Sequence, residues 1–259
     1  MSLDQINAQI AAAQAAAAAG AAQAAPAVGT AVAGTATAVP AVGTVAAGKP
    51  VSLGELLAEG GMRVDAYLKV DKLGFLIGTD LKNAQDELEV EFVLADVVPF
   101  WGLRYGQQPV TYRKSFDRIV ESRSKKPWAQ CVAEAQAADA RCRGDYPSAD
   151  IPFTILKDVK AEKGDNAGKN LVSEGQTVGL TLSITNFKDF AAFIKPYEDM
   201  RAAGQLADDV ILKGKLKHVT AEGGGNIYGK AHFVDFTVVG FRSERNAAAD
   251  AAADAAAQD

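Results

Sequence analysis

Apolar and polar residues alternate in short runs through most of the chain, and this alternation predicts strands. ELEVEFVLADVV, residues 87–98, puts Leu88, Val90, Phe92 and Leu94 on one side of an extended segment. RVDAYLKVD (63–71) alternates in the same way, and LGFLIGTD (73–80) fits as its hairpin partner. PVTYRKSF (109–116), ADIPFTILKDVKA (149–161) and QTVGLTLSIT (176–185) read as further strands. DDVILKGKLKHVT (208–220) and NIYGKAHFVDFTVVGF (226–241) read as one long hairpin around Gly223, Gly224 and Gly225. The period changes to 3.6 in two places. KPWAQCVAEAQAADARC (126–142) is helical, with Pro127 near its start and Gly144 past its end. TNFKDFAAFIKPYEDMRAAG (185–204) brings Phe187, Phe190, Phe193 and Ile194 onto one face, which reads as core; Thr185 or Asn186 would cap it, and Pro196 would kink or divide it.

Seven or eight strands with two inserted helices, in no regular alternation, exclude a doubly wound parallel sheet. They predict an antiparallel, β-rich α+β domain built on a small barrel.

The ends follow other rules. Ser2 and Gln5 form a capping box for an alanine-rich helix reaching about Gly20. PAVGT at 26–30 recurs at 40–44, in sequence too small-sided to bury a core, so residues 1–50 read as a low-complexity arm with a flexible tether. SLGELLAEG (52–60) reads as a short helix opening the body, 51–245. The Ala/Asp stretch 246–259 reads as a weak helix or a disordered acidic tail. No charge occurs from Gln5 to Gly48, but alanine transfers little apolar area to lipid and Pro26 and Pro40 interrupt the run, so no membrane span is expected. The N-terminus lacks a basic region, which argues against a secretory signal. Cys131 and Cys142 are too few for a disulfide framework and suit a reducing, cytoplasmic setting.

The net charge of −5 comes from the flanking sequence, since residues 62–245 carry as many acidic as basic residues. Within that neutral body, residues 101–128 hold seven basic residues (Arg104, Arg113, Lys114, Arg118, Arg123, Lys125, Lys126) against Asp117 and Glu121. Five large aromatics lie among them: Trp101, Tyr105, Tyr112, Phe116 and Trp128. Alternate strand residues share a face, so Tyr112, Lys114, Phe116 and Arg118 form a row of rings and cations. Single-stranded nucleic acid uses that pairing, π-faces for unstacked bases and cations for phosphates. The twelve residues just named are therefore the candidate binding set, and SRSKKPW (122–128) reads as a mobile basic flap. Lys213, Lys215 and Lys217 either extend a basic groove or guard an edge strand.

Catalytic patterns are thin. His218 and His232 are expected to face each other across the last hairpin, but two imidazoles do not make a metal site. GGGNIYGK lacks P-loop spacing, and no Ser elbow, HExxH or paired-carboxylate motif occurs, so neither an enzyme nor a cofactor is expected.

The succession of strand, basic loop and Trp helix, then ADIPF, LSITNFKDFAAFI and a final long hairpin, resembles the single-stranded-DNA-binding proteins of tailed phages over roughly 62–241. The resemblance implies an OB-like barrel, self-association, and a role in phage DNA replication or recombination, or as a cofactor of a host or phage RNA polymerase. The site would be the cytoplasm of an infected bacterial cell. Such proteins often end in an acidic tail with a terminal aromatic; this chain ends in Gln258 and Asp259. The alternative is a structural or assembly protein of a phage particle, a decoration or tail component, for which the Ala/Gly/Thr arm and β-rich body are suited.

Overall fold

Strand alternation becomes burial alternation. In the computed structural model, which describes residues 2–21, 62–107, 109–223 and 225–256, Leu88, Val90 and Phe92 are buried while Glu87 and Glu89 are exposed. The described strands in chain order are β1 (Ala66–Asp71), β2 (Gly74–Ile77), β3 (Glu87–Val93), β4 (Val98–Tyr105), β5 (Thr111–Ser115), β6 (Tyr146–Ile155), β7 (Val159–Lys160), β8 (Asn170–Val172), β9 (Thr177–Thr181), β10 (Val210–Gly223) and β11 (Asn226–Phe241). The helices are α1 (Leu3–Ala21), α2 (Trp128–Ala138), α3 (Ile184–Ala202) and α4 (Arg242–Ala256). The expected helix at 52–60 and the PAVGT repeats lie outside the described residues.

Nine strands form one sheet, seven of them in the order β11-β10-β3-β6-β9-β1-β2 with β4 and β5 on a side branch, while β7 and β8 pair separately. All its pairings are antiparallel except β1 with β9. The long strand expected over 87–98 breaks at a 3-10 turn, Leu94–Asp96. Both halves pair with β6, and the sheet forks there. β3 leads to β10 and β11, and β4 leads to β5. The fork sets the β4–β5 hairpin apart from the β3–β10–β11 branch.

The sheet curls without closing, so the expected barrel is an open sheet. Where its ends approach, His218 Nε2 lies 2.8 Å from the Asp71 carbonyl oxygen and the Phe75 ring meets His218 edge-on at 5.9 Å. Gly229 makes this approach possible, because a Cβ there would fall 2.0 Å from that same oxygen. The contact is a point and not a ladder, because β1 turns back into β2 at Asp71 and leaves no strand to pair with the hairpin.

The main core lies between the sheet and α3. Phe190, Tyr197 and Met200 are buried there, Phe187, Phe193 and Ile194 pack beside them, and Phe193 stacks on Phe233 at 4.9 Å. The Phe face is core, as its spacing predicts. The cap is Ser183, whose hydroxyl accepts from the Asn186 N–H, and α3 continues through Pro196.

The terminal helices are anchored. Ser2 and Gln5 form the expected capping box, and Ile6 and Ile10 of α1 enter the core. Asn7 both donates to the Val238 carbonyl (3.0 Å) and accepts from its N–H (2.7 Å), standing in for a neighbouring strand on edge strand β11. The first part of the arm is thus docked on the body. In α4, Arg242 pairs with Asp96 and Arg245 with Glu91, after which the helix is exposed. Among the described residues no helix is long and apolar enough to cross a membrane.

Candidate nucleic-acid interface

The β4–β5 register decides what each residue of the aromatic–basic stretch faces. Arg104 pairs with Tyr112 and Gly102 with Lys114, so these share one face with Phe100. Trp101 pairs with Ser115, Leu103 with Arg113 and Tyr105 with Thr111, and these share the other face.

The second face is packed. Leu103, Trp128, Cys131 and Ala135 make a small core against α2, with Trp101 and Tyr105 at its border. Trp128 is only 2% exposed, and its Nε1–H donates to Asp145 at 2.8 Å. Arg118 donates to Asp145 at 2.9 Å and lays its guanidinium 3.9 Å from the Trp101 ring centre. Arg113 donates to Tyr105 Oη (3.0 Å) and Cys131 Sγ (3.1 Å) and pairs with Glu134 at 3.3 Å. Lys126 also pairs with Glu134, at 3.3 Å. Trp101, Tyr105, Arg113, Arg118, Lys126 and Trp128 therefore assemble the hairpin and α2 into one unit. Burial disfavours the charged form of Asp145, yet hydrogen bonds from Arg118 and Trp128 outweigh it, and its carboxyl sits below the ordinary value.

The loop expected as a mobile flap is a set of interlocked turns. Asp117 accepts from the Ile119 and Val120 N–H groups at 2.8 and 3.0 Å. Buried Glu121 accepts from the Ser124 N–H, and the Trp128 N–H donates to the Ile119 carbonyl at 2.7 Å. Arg118 and Lys125 take left-handed backbone angles, φ 59° and 56°, to make these turns. Phe116 is half-exposed and Ile119 largely so; Arg123 and Lys125 are exposed and make no ion pair among the described residues.

The first face opens into a cleft of about 830 Å³. β4 and β5 supply Phe100, Gly102, Arg104, Tyr112 and Lys114; β1 supplies Tyr67 and Lys69, β6 Tyr146, the start of α3 Ile184 and Asn186, and β11 Ile227 and Tyr228. Tyr112 is 64% exposed and Tyr67 52%. Arg104 has no carboxylate partner among the described residues; its Nε donates to Tyr112 Oη at 3.2 Å, with the guanidinium 5.9 Å from that ring's centre. Lys72, also on the rim, is exposed and makes no ion pair among the described residues; Lys69 lies 3.4 Å from Asp71. Lys114 is different. Its Nζ lies 2.6 Å from the buried Asp150 carboxylate, which also accepts from Thr181 Oγ1 at 2.6 Å, and 4.2 Å from the Phe100 ring centre. That charge is already matched.

Of the twelve candidates, the cleft thus gathers Arg104, Tyr112 and Lys114 as lining side chains, and Arg113 at its border. Tyr67, Lys69, Tyr146, Ile184, Ile227 and Tyr228 join them from distant segments. One signal for two of these was in the sequence: Tyr67 and Lys69 repeat the Tyr-x-Lys spacing of Tyr112 and Lys114.

The other candidate features have structural employment. Lys213, Lys215 and Lys217 pair in register with Glu91, Glu89 and Glu87 of β3, and Lys215 reaches Glu87 at 2.7 Å. β10 is an interior strand, so its lysine row is not an edge guard, and each of its lysines stands opposite a glutamate of β3. His218 pairs with Ala231 and His232 with Lys217, so the imidazoles point to opposite faces: the hairpin centre lies half a residue from Gly225, and a one-residue slip changes faces. No cluster of metal-ligating residues occurs among the described residues.

No protein-family model, no curated protein and no solved structure matches this chain.

Proposed function

We propose that the cleft binds single-stranded DNA, without catalysis and largely without regard to sequence. The observation that carries this reading is the exposure of Tyr67 and Tyr112 beside Lys69, Lys72 and Arg104 on one concave surface. Bases stack on the rings, and the rim cations lie beside the phosphates. The packed face of the same hairpin argues for the assignment by contrast, because its cations are matched to Glu134 and Asp145. On this reading the open curled sheet is a variant of an OB-like barrel. The resemblance in sequence would place the protein in an infected bacterial cell, self-associating and working with replication proteins or an RNA polymerase.

The test is fluorescence anisotropy of a labelled dT oligonucleotide at several salt concentrations. Binding should weaken as salt rises, with a slope of about 0.7 per phosphate contact. Replacing Lys69, Lys72 and Arg104 by Ala should lower that slope by about 2 if all three hold phosphates. Lys126→Ala should leave it unchanged, since Lys126 is paired to Glu134. No binding at low salt would end the proposal.

A further inference from the structure

Most of the polar groups that line the cleft are already engaged within the protein. Asp150 holds Lys114 and Thr181; Ser183 Oγ accepts from the Asn186 N–H; Asn186 Oδ1 accepts from the Ala231 N–H; Tyr67 Oη donates to the Met62 carbonyl. Tyr146 is the exception on the cleft floor. It is half-buried, yet its hydroxyl has no hydrogen-bond partner among the described residues. It is not sealed off either, because no buried side-chain polar atom lacks a partner among the described residues; the oxygen therefore opens into the cleft.

The position of the ring is fixed. Tyr146 pairs with Gly102, and its ring occupies the space above that glycine, where a Cβ would fall 2.8 Å from ring atoms. Gly102 lies between Phe100 and Arg104 on the cleft-facing row, so the hydroxyl stands between an apolar floor and a cationic rim. Tyr228 also lines the cleft, but at the hairpin tip beside exposed Gly223.

We propose that Tyr146 bonds the edge of a nucleobase inserted into the cleft, and so gives the site a contact to bases beyond stacking. The proposal rests on the single-stranded-DNA reading. A neutral phenol both donates and accepts, which suits the carbonyl and amino groups of base edges. Burial raises the Tyr146 hydroxyl's pKa, keeping it neutral across the physiological range. A phosphate is the poorer match, because it would leave its hydration for a single uncharged donor while Arg104 and Lys69 wait at the rim. Pockets of about 300–1,000 Å³ hold drug-sized ligands, and at about 830 Å³ this cleft has room for a base with its sugar.

The experiment compares the full-length protein with Tyr146→Phe on two labelled probes of equal length: a dT oligonucleotide and an oligonucleotide of abasic sites. Tyr146→Phe keeps the ring above Gly102 and removes only the hydroxyl. The expected result is about a 5-fold loss of affinity for dT, the value of one hydrogen bond, with binding of the abasic probe unchanged. Gly102→Ala, which displaces the ring, should reproduce the selective loss if circular dichroism shows a folded protein. Equal affinity of Tyr146→Phe and the unaltered protein for dT would overturn the inference and leave the DNA-binding reading standing. Equal loss on both probes would overturn it too, because the hydroxyl would then serve the backbone. Failure of the unaltered protein to bind dT would remove both.

Discussion

The β4–β5 hairpin presents rings and cations on both its faces, and the two faces have opposite fates. Towards α2, Trp101, Tyr105 and Trp128 are covered, and Arg113, Arg118 and Lys126 end on Glu134 or Asp145. Towards the cleft, Tyr112 stands open and Arg104, among the described residues, bonds a phenol and no carboxylate. Composition does not separate the faces. Carboxylates do: α2 and the segment before β6 bring Glu134 and Asp145 to one side, whereas on the other Asp150 reaches Lys114 and, among the described residues, no carboxylate reaches Arg104. An aromatic–cation row is available to a ligand only where the fold has left it without an internal partner.

The largest test of this contrast is Trp128→Ala. It empties the small core and leaves Asp145 without one of its donors, so it should lower unfolding stability by about 3–5 kcal/mol in denaturant titration. Affinity per folded molecule for a dT oligonucleotide should not change. If the variant kept its stability and lost binding, the two faces would have been assigned the wrong way round. Tyr112→Ala is the complementary substitution. Its ring is mostly exposed, so stability should move by no more than about 0.5 kcal/mol. Loss of one stacked base should weaken oligonucleotide binding by about 1–3 kcal/mol. A wild-type affinity in that variant would take Tyr112 out of the site.

Much of this contrast was half-legible in the sequence. The row Tyr112, Lys114, Phe116 follows from strand period alone, and its first two members do face the cleft. The fate of Trp128 does not follow from period, because the acceptor for its Nε1–H, Asp145, lies 17 residues away and is brought there by the start of β6. The lysines of β10 show the same limit. Their matched charges, Glu87, Glu89 and Glu91, are more than 120 residues distant in sequence and meet them only through strand pairing. The fork at Leu94–Asp96 was hidden for another reason: the run through Leu94 keeps its apolar alternation up to the turn. What was readable is local periodicity and capping, such as the Ser2–Gln5 box. What was not is which strand lies beside which, and hence which charges cancel.

The smallest expected effect sharpens the comparison through pH. The Asp145 carboxyl is depressed, so its charged form is favoured by folding. Its contribution is fully present above the ordinary carboxylate pKa of about 3.9 and is lost as pH falls through its lowered value. Tryptophan emission is the natural readout, because Trp128 bonds Asp145 directly and Trp101 lies under Arg118. Acidification below about pH 4 should change that emission, and Asp145→Asn should remove part of the change. Part of the rest should come from the adjoining loop: at Glu121 burial raises the carboxyl but hydrogen bonds from Ser124 outweigh it, and at Asp117 the Val120 and Ile119 N–H groups hold the carboxyl down. Oligonucleotide added at neutral pH should leave the emission nearly unaltered, since both tryptophans belong to the face turned from the cleft. Strong quenching by the oligonucleotide would mean that DNA reaches the α2 side, and the division between the two faces would have to be abandoned.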